Sequence, residues 1–206
     1  IADECRGISP LLDNLFSDKT RFVTRSVANH INDISKIDPD LAIDTLTKWR
    51  KSGKQKPQEM EYIVRHSLRT LVKQGNSEAM RMLGVSHEPR VSVANFKVPK
   101  MVKMNTALEF SFDIKADEDA DIIADYIIYF QNKLGKLNSK KVFKLKRVSL
   151  AKGKSTVLIK RHMLREHMTT RKLFRGKHEL GIQINGKSFG KKTFLRRGNI
   201  IIKRNN

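Results

Sequence analysis

The sequence predicts an α+β chain of two domains, α-helical repeats over residues 1–88 and then an antiparallel β-sandwich over 89–206, on three observations. Apolar residues recur at helical spacing as far as Gly84. Beyond His87-Glu88-Pro89 they alternate in period two, the mark of half-buried strands. Charge divides at the same place: residues 1–90 carry 15 basic and 12 acidic side chains, whereas 91–206 carry 27 and 9.

In the first helix, 21–36, Val23, Val27, Ile31 and Ile34 form the apolar face, with Asp18 or Thr20 as N-cap. Pro39 ends it, because proline disfavours helical geometry in the residue before it. A second helix over 39–51 carries Leu41, Leu46 and Trp49, and Trp49 is read as core. The polar link S-G-K-Q-K-P leads to a third helix over 58–74 with Ile63, Val64, Leu68 and Leu71 inward and Gly75 as its C-cap. A short fourth helix covers 77–84. The segments R-S-V-A-N-H-I at Arg25 and R-H-S-L-R-T-L at Arg65 lie 40 residues apart, within the roughly 40 to 47 of stacked helical pairs of the HEAT type.

In the second half, L-E-F-S-F-D-I places Leu108, Phe110, Phe112 and Ile114 on one face and Glu109, Ser111 and Asp113 on the other. Further strands are expected at 91–98, 122–130, 142–150, 155–161 and 177–184, with a hairpin at Asn185-Gly186 into 187–195. Seven short strands separated by turns predict an immunoglobulin-like sandwich without the Cys/Trp/Cys core of antibody domains.

Composition narrows the partners. With 42 Lys+Arg against 21 Asp+Glu, the net charge of +21 points to a polyanion. Residues 133–206 hold only two acids, Glu166 and Glu179, against 23 basic residues. The single cysteine, Cys5, excludes an internal disulfide, and no apolar run approaches the ~20 residues of a membrane span. We expect a soluble, cytoplasmic, nucleoid-associated monomer with no membrane role, no cofactor and no metal site. Because the chain opens at Ile1, it is expected to be a piece of a longer protein.

The block R-F-V-T-R-S-V-A-N-H-I-N-D-I-S-K-I-D-P-D-L, then W-R, then V-R-H-S-L-R-T-L-V-K-Q-G-N-S-E-A-M-R-M-L-G, resembles the AlkC-type DNA alkylation repair glycosylases. These belong to the HEAT-like repeat alkylpurine glycosylase superfamily, and they carry an immunoglobulin-like domain after the repeats. V-F-K-L-K at Val142, K-R-H at Lys160 and T-T-R-K at Thr169 are similar to segments of that domain. The resemblance covers most of 10–197. It implies hydrolysis of the N-glycosidic bond of N3-methylated bases, such as 3-methyladenine, in double-stranded DNA, by acidic residues on the helical surface. The family motif S-V-A-N-H-L-N-D places one such acid at Asp33. A second lies in an S-E-G segment whose closest match here is Glu4. The family also has a longer connection containing R-P-R-L-P-W, where this chain runs from Cys5-Arg6 to Pro10, and further repeats before it. The helical domain is therefore expected to be N-terminally truncated.

On a helical wheel, Arg25, Asn29, Asp33 and Lys36 share a face, with Asp33 at its edge nearer the core. In the third helix Tyr62, His66, Arg69 and Lys73 fall on one stripe. If these faces meet, cations ring Asp33, keep it ionised and hold phosphates. The connection at 160–175 offers Arg161, Arg165, Arg171, Lys172 and Arg175 to a duplex backbone, and neutralising Arg171 with Lys172 is expected to flatten the salt dependence of binding. The alternative is a non-catalytic DNA-binding relative with an incomplete or lost active cleft. A helical scaffold for acidic proteins is a third possibility. Read without the family, Asp33 near Lys36 is a solvated surface pair, and His30 and His66 are helix-face residues.

Overall fold

The computed structural model describes residues 10–165 and 173–197. The chain divides into two compact units between His87 and Glu88.

In the first unit, a helix whose described part is 10–15 (α1) precedes α2 (Arg21–Ile34), α3 (Pro39–Ser52), α4 (Pro57–Ser67), α5 (Arg69–Gln74) and α6 (Ser77–Met82). Thr20 is the N-cap of α2, and its N–H and hydroxyl both donate to Asp18, at 2.7 and 2.6 Å. The Asp38 carboxylate accepts from the Leu41 N–H at 3.0 Å and Pro39 opens α3, so the residues that stop one helix start the next. Val27, Ala28 and Ile31 pack in a core with Leu46, Trp49, Ile63 and Val64. Trp49 is buried, stacked on Phe16 at 4.6 Å, and its Nε1–H donates to Asp13 at 2.5 Å.

The single helix expected over 58–74 is two. Leu68 leaves helical geometry (φ −88°, ψ 3°) and separates α4 from α5. Neither glycine nor proline is present to force this. Two contacts accompany the break: the side chain of Asn32, buried on α2, accepts from the Thr70 hydroxyl at 2.9 Å and its N–H at 3.3 Å, and the Arg69 side chain takes the His66 carbonyl that a continuous helix would offer to that N–H. The second of the two similar segments, 65–71, thus straddles a break that the first lacks. The fourth helix stops at Met82.

Among the described residues the second unit has eight strands: β1 (Val91–Lys97), β2 (Met101–Lys103), β3 (Ala107–Ala116), β4 (Ala120–Gln131), β5 (Leu137–Leu150), β6 (Ser155–Met163), β7 (Gly176–Ile184) and β8 (Lys187–Arg197). One sheet has the order β1-β3-β6, the other β2-β8-β7-β4-β5. All pairs are antiparallel except β2 with β8. Leu108, Phe110, Phe112 and Ile114 of β3 are buried against Ile122, Ala124, Tyr126 and Ile128 of β4 and Leu180, Ile182 and Ile184 of β7, which makes the two sheets a sandwich. The missed strand is β2, three residues long and too short for any period to show.

Asn185 and Gly186 both have positive φ, 45° and 79°, as the tight β7–β8 hairpin requires. Asn185 is also wholly buried; it accepts from the Ile123 N–H at 2.7 Å and donates to the Asp121 carbonyl at 3.1 Å. One side chain therefore shapes the turn and ties it to β4.

Candidate functional site

The polar face of α2 meets the stripe on α4 and α5. His66 Nε2 lies 2.9 Å from Asn29 Oδ1, so that ring nitrogen carries the donated hydrogen. Burial, with the Arg69 and Arg25 charges, lowers the His66 pKa and favours the neutral ring. The Tyr62 ring stacks on His66 at 5.4 Å, and Arg69 donates to the His66 carbonyl. Arg25 and Lys73 are exposed.

Asp33 belongs to this face, but it stands further out than the wheel implied: its side chain is 67% exposed, because its neighbour Asn32 takes the inward position. Lys36 Nζ donates to its carboxylate at 2.6 Å. That bond is the largest influence holding its pKa below the ordinary value; partial burial opposes it, and the Lys36 charge, Asn32 and Arg69 assist. The group is an ionised, solvent-reachable carboxylate. Glu4 lies outside the described residues.

Sequence reading missed two members of this face. Arg21, the first residue of α2, donates from Nε to Glu59 at 2.8 Å and from Nη2 at 2.6 Å, with its Cζ over the Tyr62 ring, 3.7 Å from the ring centre. Thr24 supplies Glu59 with a further donor at 2.5 Å. Arg21 and Thr24 hold the Glu59 pKa below its usual value against the opposing effect of burial. A separation of 38 residues between Arg21 and Glu59 hides the pair from any local pattern.

On the sandwich unit, Arg161 of β6 faces outward and pairs with Glu109 of β3 at 2.6 Å, so part of its charge is already answered. Arg165 and Arg175 are exposed at either end of the β6–β7 connection, while Arg171 and Lys172 lie outside the described residues. Both described ends of this connection are pinned. The Asn105 N–H donates to the Leu164 carbonyl at 2.8 Å, and Gln131 Nε2 donates to the Arg175 carbonyl at 2.7 Å. Buried His178 accepts the Gln131 N–H at Nδ1 (3.2 Å), and its Nε2 lies 3.0 Å from the Phe174 carbonyl, to which it donates. Burial is the main cause of its lowered pKa. Edge strand β5 adds Lys140, Lys141, Lys144 and Lys146, all exposed. Among the described residues no ion pair joins these lysines to a carboxylate. The sequence signal for this row was the acid-free stretch itself.

These features define a class of protein: a helical unit with a carboxylate amid cations, followed by a strongly basic β-sandwich. The family described as "Uncharacterised protein YhaZ, C-terminal Ig-like domain" matches residues 92–196, just over half of the chain. The protein YhaZ of Bacillus subtilis is 31% identical over 180 residues, covering 87% of this chain and 49% of the relative. The solved structure of Pseudomonas fluorescens alkylpurine DNA glycosylase AlkC, bound to DNA containing an abasic site analogue, superposes with a TM-score of 0.84 at 31% identity. That match covers 92% of this chain and 52% of that one. The chain belongs to the YhaZ family and is of the AlkC type, with an Ig-like domain as its second unit. It spans about half the length of the relatives it matches. Among the described residues no helix is long and apolar enough to cross a membrane.

Proposed function

We propose that this chain acts in DNA repair as a glycosylase that releases cationic N3-methylated bases such as 3-methyladenine, with Asp33 as its catalytic carboxylate. The observation that carries this reading is the ionised Asp33 on the polar face shared by Asn29, His66 and Arg69. A cationic base leaves without a proton from a general acid, so the protein must meet only the positive charge that develops on the sugar. A fixed carboxylate stabilises that charge and orients water. Asn29, Arg25, Tyr62, His66, Arg69 and Lys73 then contact the DNA, and the helices form part of a HEAT-like array. The Ig-like unit holds the duplex backbone through Arg161, Arg165, Arg171, Lys172 and Arg175, and Glu4 is the second acid. Likeness to AlkC, solved with DNA, supports the partner.

The openness of Asp33 and its surface pair with Lys36 favour a second reading, a DNA-binding relative without catalysis. Release of free base from duplex DNA containing 3-methyladenine separates the two. Asp33→Asn, compared at equal DNA occupancy, is expected to bind normally and release base far more slowly. Equal release by both proteins removes Asp33 from the chemistry, and no release by either supports the second reading.

A further inference from the structure

The pair of Glu59 and Tyr62 does something specific to Arg21. An arginine on a helix surface ordinarily samples many rotamers, and ordering it on a ligand costs conformational entropy. Here the guanidinium is ordered in advance: two of its nitrogens are held by Glu59 and its Cζ lies over the Tyr62 ring. Glu59 is itself fixed by Thr24 and only 19% exposed, whereas Arg21 is 56% exposed. Glu59 engages Nε and one side of Nη2, which leaves the far edge of the guanidinium, one N–H of Nη1 and one of Nη2, outside the pair. Such a group suits a tetrahedral oxyanion, because guanidinium donates in a fixed planar fork. Exposed Arg25 lies one turn further along α2 on the same side.

We propose that Arg21 is a phosphate-binding residue for the nucleic-acid backbone, and that Glu59 and Tyr62 are the residues that position it. This rests on the reading that the chain binds DNA. The test is duplex binding by the full chain as salt is varied, for the parent and for Arg21→Gln, Arg21→Lys and Glu59→Gln, with the helical circular-dichroism signal as a check on folding. Arg21→Gln is expected to weaken binding roughly threefold to tenfold and to reduce the slope of log affinity on log salt by at most about 0.9, the value for one full phosphate contact, because Glu59 already answers part of the charge. Arg21→Lys keeps the charge but loses the fork, and is expected to weaken binding too. Glu59→Gln is the sharpest arm. It raises the net charge by one, so charge alone predicts tighter binding, whereas loss of positioning predicts weaker. Parent-like Arg21→Lys together with tighter Glu59→Gln overturns the proposal and leaves DNA binding standing. Absence of salt-dependent duplex binding by the parent overturns both.

Discussion

Asn32 and Asp33 are adjacent in sequence, and the structure assigns them opposite kinds of work; replacing each in turn separates the two. Asn32 is 1% exposed and its Oδ1 receives both donors of Thr70 at the start of α5. Asn32→Ala removes two hydrogen bonds, each contributing about 1 kcal/mol net, and leaves a backbone N–H without its acceptor. The expected loss is about 2 to 3 kcal/mol in the stability of the helical unit. Asp33→Asn removes an exposed ion pair with Lys36, and its cost is expected to stay below about 0.5 kcal/mol. Urea unfolding followed by the helical circular-dichroism signal measures both. Asn32→Asp keeps an acceptor but places a charge in a buried site beside Asp33, so it is expected to cost at least as much as Asn32→Ala. A cost below about 0.5 kcal/mol for Asn32→Ala, or above about 1 kcal/mol for Asp33→Asn, refutes the division.

His178 folds with its pKa held below 6.5, so the unfolded chain takes up the proton first and stability is lost as pH falls below that value; His178→Gln should flatten this part of the pH-stability curve of the sandwich. Asn185→Ala is expected to cost about 2 to 4 kcal/mol, since it strips two buried hydrogen bonds from the β7–β8 turn, measurable as a lowered unfolding midpoint. Neutralising Arg165 and Arg175 together is expected to lower the salt slope of duplex binding by about 1.8, two contacts' worth; an unchanged slope places the duplex elsewhere on the sandwich.

Where the physics was local, the sequence could be read. The alternation in β3, the Asn185-Gly186 turn and the amphipathic face of α2 each depend on near neighbours, and each is present. The break at Leu68 could not be read, because the apolar spacing runs unbroken across it and one of its contacts, Asn32 with Thr70, spans 38 residues. The Arg21–Glu59 pair was hidden for the same reason. At the candidate site the sequence put Arg25, Asn29 and Asp33 on one exposed face of α2, as the structure does, yet it set Asp33 too far inward, since a wheel cannot tell which of two adjacent polar residues, Asn32 or Asp33, will be taken into the core. The row of β5 lysines was visible only as a regional excess of charge, because its exposure depends on β5 lying at a sheet edge.

The order β2-β8-β7-β4-β5 also sets a timetable for synthesis. Strand β4, largely buried, gains its hairpin partner β5 soon after it leaves the ribosome, but its other edge pairs with β7, and β2 pairs with β8, both later in the sequence. From Gln131 to Ile184 is 53 residues, roughly 3 to 11 s of translation. During that interval the edge of β4 that will pair with β7 is open, the kind of exposed strand edge prone to wrong pairing. A chain cut before Lys187 lacks β8 and leaves β2 without its partner in the larger sheet.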